Sequence, residues 1–188
     1  MKEKIEAKSE PTIKGIFVNS HLNKVRRDLG EDGVKKMEKM LGRPVRFRNS
    51  EDVPIAYEIE VIETALEVLS GGTIPSENLS FEAGRFHFKN FLNTPLGRML
   101  FSVFKDQEMV LLKSKYVAQY VFKGVSFNSK KMAEGRIMVS MEGGQYPLEH
   151  FRGFFSEWMS YAGYIPRVQA DKAGPETYIY ILDWSVKE

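Results

Sequence analysis

The chain has no cysteine. That removes disulfides, thiolate metal sites and cysteine nucleophiles, and it agrees with a reducing cytoplasm as the expected location. No run of about 18 apolar residues occurs, so no transmembrane helix is expected. The opening Met1–Pro11 is charged and lacks an apolar centre. It does not read as a secretory signal, and residues 1–11 are expected to be a flexible lead-in to a single domain over 12–188. Excess charge is missing as well. Lys and Arg number 27 against 25 Asp and Glu, and a net +2 gives no ground for nucleic acid as a partner. Neither a nucleophile elbow, a Walker loop nor a dinucleotide fingerprint is present. Gly143-Gly144 is a turn without the context of a phosphate loop.

What is present is a dense apolar pattern. With 43% hydrophobic residues and 28% charged, 188 residues suffice for one domain with a sizeable core. Ile13 to Val18 make a short apolar start, and Ser20 is placed to cap a helix through Leu22, Val25 and Leu29 that stops at Gly30. A second short helix carries Val34, Met37, Met40 and Leu41 and ends at Gly42. The spacing predicts the clearest helix over 52–69, capped by Asp52, with Ile55, Ile59, Ile62, Leu66 and Leu69 as one stripe. An aromatic helix over about 77–91 follows, in which Ala83-Gly84 leaves room for another backbone. Thr94-Pro95 restarts a helix in the favoured order of cap and proline. After Asp106 one further helix runs to Gly124. The period then changes to two. Val125–Asn128 and Arg136–Met141 alternate as a hairpin, Pro147–Ala162 returns to helical spacing, and Arg167–Asp171 with Thr177–Trp184 reads as a closing antiparallel pair. The expected class is α+β: a helical N-terminal part and an antiparallel sheet of about four strands crossed by a helix.

Three groups of residues compete for a functional role. His21, His87 and His150 lie far apart in sequence, and none has an Asp, Glu or His at a metal-type spacing. They read as ordinary surface or partly buried residues, with His150 on the polar side of its helix beside Glu149 and Arg152. No carboxylate reads as part of a polar cluster inside an apolar run, so no catalytic residue, metal or cofactor is expected. The aromatic middle is richer than a thin helical layer needs. Phe86, Phe88, Phe91, Phe101, Phe104 and Tyr116 are the candidate lining of an apolar pocket, with core packing as the competing reading. Arg43, Arg46 and Arg48 are a candidate anion site, although Glu31, Asp32, Glu38, Glu51 and Asp52 interleave with the basic residues around them.

Thr12-Ile-Lys-Gly-Ile-Phe-Val18 with Leu22 and Leu29-Gly30 resembles the opening of haem NO-binding (H-NOX) domains, and Glu82-Ala-Gly-Arg85 before an aromatic helix resembles their middle. The closer likeness is to a bacterial family of unknown function, typical of myxobacteria. That family lies in the superfamily joining NO-signalling and Golgi-transport ligand-binding domains, with vinyl-4-reductase-type and TRAPP relatives. Tyr180-Ile-Leu-Asp-Trp184 after Gly174 is similar to the ending of that superfamily. The resemblance implies an H-NOX-like fold over most of residues 12–184. H-NOX domains hold haem through a histidine on the helix that corresponds to Asp106–Phe122, and this stretch has none. Their Tyr-x-Ser-x-Arg propionate motif is replaced by Tyr146-Pro-Leu-Glu-His150. Two cysteines common in relatives are Ala170 and Tyr178 here. The resemblance therefore carries a scaffold without its best-known cofactor.

The function expected from these readings is a haem-free, non-catalytic domain that senses a small apolar ligand or binds a protein partner. An enzyme acting on a small apolar or aromatic substrate and a purely structural homodimer are the alternatives.

Overall fold

A computed structural model of the chain describes residues 10–103 and 106–184, with only the backbone described at Gln107. Residues 1–9 of the expected lead-in and Phe104 of the expected pocket lie outside the described residues. Strand β1 (Thr12–Lys14) is the centre of a small antiparallel sheet. It pairs Ile13 with Val53 of β2 (Asp52–Pro54) on one side and with Phe122 of β3 (Phe122–Lys123) on the other. The sequence pattern does not announce this sheet, because its strands are two or three residues long and separated by helices. Asp52 is not a helix cap. It lies on β2, where the ammonium groups of Lys14 from β1 and Lys123 from β3 meet its carboxylate.

Helix α1 (Gly15–Leu41) begins at Gly15, and Ser20 lies inside it, donating to the Phe17 carbonyl at 2.5 Å instead of capping the start. The stop read at Gly30 is a kink: Gly30 has φ 69° and ψ −165°, and helix resumes beyond it. Helix α2 (Ile55–Ser70) buries Ile55, Glu58, Val61, Ile62, Ala65 and Val68. The stripe of Ile59, Leu66 and Leu69 is only partly buried, so the inward face is rotated from the one the large side chains mark out. Helices α3 (Ser76–Leu92) and α4 (Pro95–Val103) follow, and Thr94 Oγ1 accepts from the Gly97 amide at 3.1 Å as a cap. The single helix expected after Asp106 is two, α5 (Gln107–Leu112) and α6 (Ser114–Val121), broken at Lys113. Asp106 caps the first by accepting from the Glu108 and Met109 amides.

The second sheet is antiparallel, in the order β4–β5–β7–β6, from β4 (Ser126–Ala133), β5 (Arg136–Glu142), β6 (Val168–Gly174) and β7 (Thr177–Asp183). Ile137, Val139 and Met141 alternate inward on β5. Val139 and Ile137 face Tyr180 and Leu182 of β7, which fixes the register. Helix α7 (Leu148–Tyr161) crosses this face with Phe151, Phe154, Phe155 and Trp158. The result is the mixed helical and antiparallel architecture expected.

Helices α3 and α7 are pressed together. A Cβ on Gly84 would lie 1.7 Å from the His150 carbonyl oxygen, and one on Gly153 would lie 2.0 Å from the Phe81 carbonyl oxygen. Two glycines facing backbone thus let the helices approach closer than side chains permit. The room read at Ala83-Gly84 is this contact.

Candidate functional site

The close approach of α3 and α7 brings His87 and His150 together, and α1 and α2 add His21 and one carboxylate, Glu58. Position 21 on α1 lies three residues after Val18 and four before Val25, both buried. Position 58 on α2 lies three after Ile55 and four before Ile62. Position 87 on α3 lies three after Gly84 and four before Phe91. Each polar side chain occupies a core position of its helix. All are sealed: His21 and Glu58 are 0% exposed, His150 1%, Asn90 2% and His87 3%, with Tyr146 at 0% above them.

The contacts form a chain. Asn90 Nδ2 lies 3.1 Å from His21 Nδ1, and His21 Nε2 lies 3.0 Å from Glu58 Oε1. Glu58 Oε1 is 3.7 Å from His87 Nδ1, which is 3.0 Å from His150 Nε2. With Asn90 donating to Nδ1, His21 carries its proton on Nε2 and donates it to Glu58. Tyr146 stacks on the His150 ring at 4.6 Å between centroids. Its hydroxyl interacts electrostatically with Glu58, yet neither that hydroxyl nor Glu58 Oε2 has a partner at hydrogen-bonding geometry. The two oxygens are an imperfect pair with each other, in an interior where buried polar groups are nearly always fully satisfied.

Burial sets the charge of the cluster. Desolvation lowers His21 to about 3 and His87 to about 4, the nearby Glu58 charge only partly offsetting it for His87. It holds His150 well below the usual histidine value. The same desolvation raises Glu58, against the opposing pull of His87 and Tyr146, and raises Tyr146 well above the ordinary phenol. The three imidazoles are thus held in their neutral form, the form that can ligate, while the carboxyl of Glu58 is shifted toward its own neutral form.

His87 has a second role as the wall between this cluster and a cavity. The cavity has a volume of about 70 Å³ and is lined from α3 by His87 and Phe91, from α4 by Leu100 and Phe101, from α5 and α6 by Val110 and Ala118, and from α7 by Phe154 and Trp158. The side chains in its lining that carry polar atoms are His87, Trp158 and Ser114, whose hydroxyl is 2.7 Å from that of Ser129.

Of the residues read as a pocket, Phe91 and Phe101 line this cavity. Phe88 is fully buried behind it, stacked on Trp158 at 5.8 Å, and Phe86 packs near His21. Tyr116 is 58% exposed, with the Lys113 ammonium over its ring. Arg46 and Arg48 edge a broad groove together with Arg26 and Asn19. Arg43 stands apart, stacked on Tyr57 and paired with Glu60 at 2.6 Å.

The reading of the histidines is corrected. They converge in the core, and His150 faces inward while Glu149 and Arg152 pair outside. A carboxylate does sit in a polar cluster inside an apolar run, and it is Glu58. A signal existed for each, a lone polar residue three or four positions from apolar neighbours on both sides. Their meeting was not readable, because the pairs are separated by between 29 and 69 residues.

This architecture is that of H-NOX domains. An oxygen-binding H-NOX domain related to soluble guanylate cyclases, solved as its oxygen complex, aligns over 93% of this chain and 96% of its own, with a TM-score of 0.68 at 14% identity. A variant H-NOX from T. tengcongensis aligns over 93% and 99%, with a TM-score of 0.64 at 17% identity. An unliganded Fe(II) H-NOX variant from K. algicida aligns over 91% and 96%, with a TM-score of 0.64 at 12% identity. At these identities the likeness is one of fold. Among curated proteins, no sequence matches the chain. The family model for proteins of unknown function DUF2378 matches residues 7–185, and the chain belongs to that family. Among the described residues no helix is long and apolar enough to cross a membrane.

Proposed function

We propose that the chain is a haem-free sensing domain that takes a small apolar ligand into the cavity between α3, α4, α6 and α7. The observation that carries this reading is the cavity itself, a partly open recess lined almost wholly by aromatic and aliphatic side chains, the usual make-up of a small-molecule site. Its volume of about 70 Å³ is roughly half that of an apolar cavity of about 150 Å³ that accepts benzene. The ligand class is therefore a molecule of a few heavy atoms, down to a diatomic gas.

Haem does not fit these residues. A macrocycle would have to displace Phe101 and Trp158, which pack edge to face at 5.2 Å. The residues that α5 and α6 contribute, Val110, Ser114, Val117, Ala118 and Val121, include no imidazole, and the one imidazole in the lining, His87, has its Nδ1 3.0 Å from His150 Nε2. One imidazole, one indole and one hydroxyl among apolar walls support binding over turnover. The elements that enclose the cavity also carry exposed apolar side chains: Met99, Val103, Met109 and Tyr120. A ligand that shifts α4 to α6 would alter this outer surface, which supports output to a protein partner.

Xenon under pressure is the test, read by xenon NMR and by the location of the atom in crystals. A single site in the cavity is expected, abolished by Ala118→Leu. Absence of xenon at the cavity, or a site unaffected by filling it, overturns the reading. Added hemin should give no stoichiometric Soret band.

A further inference from the structure

We propose that His21, Glu58 and His87 form a binding site for one divalent first-row transition metal ion of the zinc or ferrous class. The inference does not depend on the ligand in the cavity, since either could exist without the other.

The geometry supports it first. His21 Nε2, Glu58 Oε1 and His87 Nδ1 all lie within 4.8 Å of one another, with 3.0 Å and 3.7 Å on the two sides that meet at Glu58. Donors at about 2.0–2.1 Å from a tetrahedral ion are about 3.3 Å apart, so the two sides at Glu58 are already near that spacing and the two imidazoles need only draw together to seat one. Among the described residues this is the group of histidine and acidic side chains that comes so close together. The donor set is chemically selective. Two imidazoles and a carboxylate suit zinc or ferrous ion, magnesium and calcium want oxygen alone, and the absence of cysteine removes thiolate competition.

The orphaned atoms supply the second support. Glu58 Oε2 and the Tyr146 hydroxyl are buried and interact with each other without reaching full hydrogen-bonding geometry, and neither has another partner. A bound cation would give the carboxylate its missing counter-charge and let the hydroxyl donate to the oxygen left outside the metal contact. The surroundings are of the kind that orient metal ligands. With His21 ligating through Nε2, its Nδ1 must carry the proton. Asn90, 3.1 Å away, serves that state by turning its amide so that the oxygen accepts. His150 Nε2, 3.0 Å from His87 Nδ1, loses that contact when the metal takes the nitrogen and becomes the next donor in reach. The cavity reaches the site at His87, the one of the three ligating side chains that lines it.

The test uses untagged full chain, because the chain's own three histidines must be its sole source of imidazole. Protein stripped with a chelator is titrated with Zn²⁺ and with Co²⁺, the second giving visible bands. One ion per chain is expected. Glu58→Gln should weaken affinity at least 100-fold, and Asn90→Ala by about 10–100-fold, the range for loss of a partner that orients a ligand. Circular dichroism checks each variant for folding. X-ray absorption at the zinc edge of the unmutated protein needs no variant and should report a shell of nitrogen and oxygen with scattering from at least two imidazoles. No stoichiometric uptake, uptake unchanged by Glu58→Gln, or a shell without imidazole overturns the site.

Discussion

Gly84 of α3 faces the backbone of His150 on α7 at a separation with no room for a methyl group: a Cβ there would sit 1.7 Å from the carbonyl oxygen. One helical turn beyond Gly84, His87 Nδ1 lies 3.0 Å from His150 Nε2. The contact between the helices and the contact between the imidazoles are parts of one arrangement.

Gly84→Ala should therefore act on both. The atoms met are backbone and cannot rotate away, so the helices must separate. A loss of about 1–3 kcal/mol or more is expected, at the upper end of overpacking penalties. Urea unfolding measures it, and a fall in metal uptake larger than in an equally destabilised variant remote from α3 would tie the helix spacing to the cluster.

Glu58 substitutions should divide by hydrogen bonding. Glu58→Gln keeps an acceptor for His21 Nε2–H and should cost little. Glu58→Ala leaves that donor buried without a partner, which costs about 1–3 kcal/mol before any cavity is counted. Chemical denaturation of the metal-free proteins should show this order. Equal losses for the two would mean that the contact of His21 with Glu58 contributes nothing.

Metal-free protein should lose stability in acid. His21 and His87 have folded values of about 3 and about 4 against 6.5 for the free side chain, and His150 shifts the same way. Below pH 6.5 the unfolded chain binds protons that the folded chain refuses. The stability present above 6.5 is therefore lost as pH falls toward the folded values, at up to about 1.4 kcal/mol per pH unit for each histidine. Glu58 has the opposite sign. Its raised value means that its contribution is greatest below the unfolded carboxylate value and is lost as pH rises. Tyr146, the remaining titratable group facing the cluster, stays neutral across this range. Urea midpoints between pH 7 and 4.5 should fall, and His21→Gln should flatten the slope. A profile unchanged by that variant would contradict the assignment.

Gly30→Ala tests the backbone alone. At φ 69° and ψ −165° this residue occupies a region open essentially to glycine, and nothing lies within 4 Å of the point where a methyl group would stand. A loss of about 1–3 kcal/mol without steric contact is expected. Thermal melting gives the magnitude. A variant as stable as the parent would require the kink to relax into continuous helix, which circular dichroism would register as added helicity.

The sequence by itself determined the elements and their order. Period 3.6 in Leu148, Phe151, Phe155 and Trp158 and period two in Ile137, Val139 and Met141 follow from which face must leave water, and they mark α7 and β5 directly. Helix stops at Gly42 and Gly71, both in the left-handed conformation, are equally local. The small sheet of β1, β2 and β3 was out of reach, because its pairing of Ile13 with Val53 and Phe122 joins segments too short to carry a pattern. The polar cluster was hidden for a different reason. His21, Glu58, His87 and His150 belong to four helices, and one-dimensional spacing carries no information on where four helices cross. Only tertiary packing, with Gly84 and Gly153 allowing α3 and α7 to touch through their backbones, decided that four isolated polar residues would become one buried site.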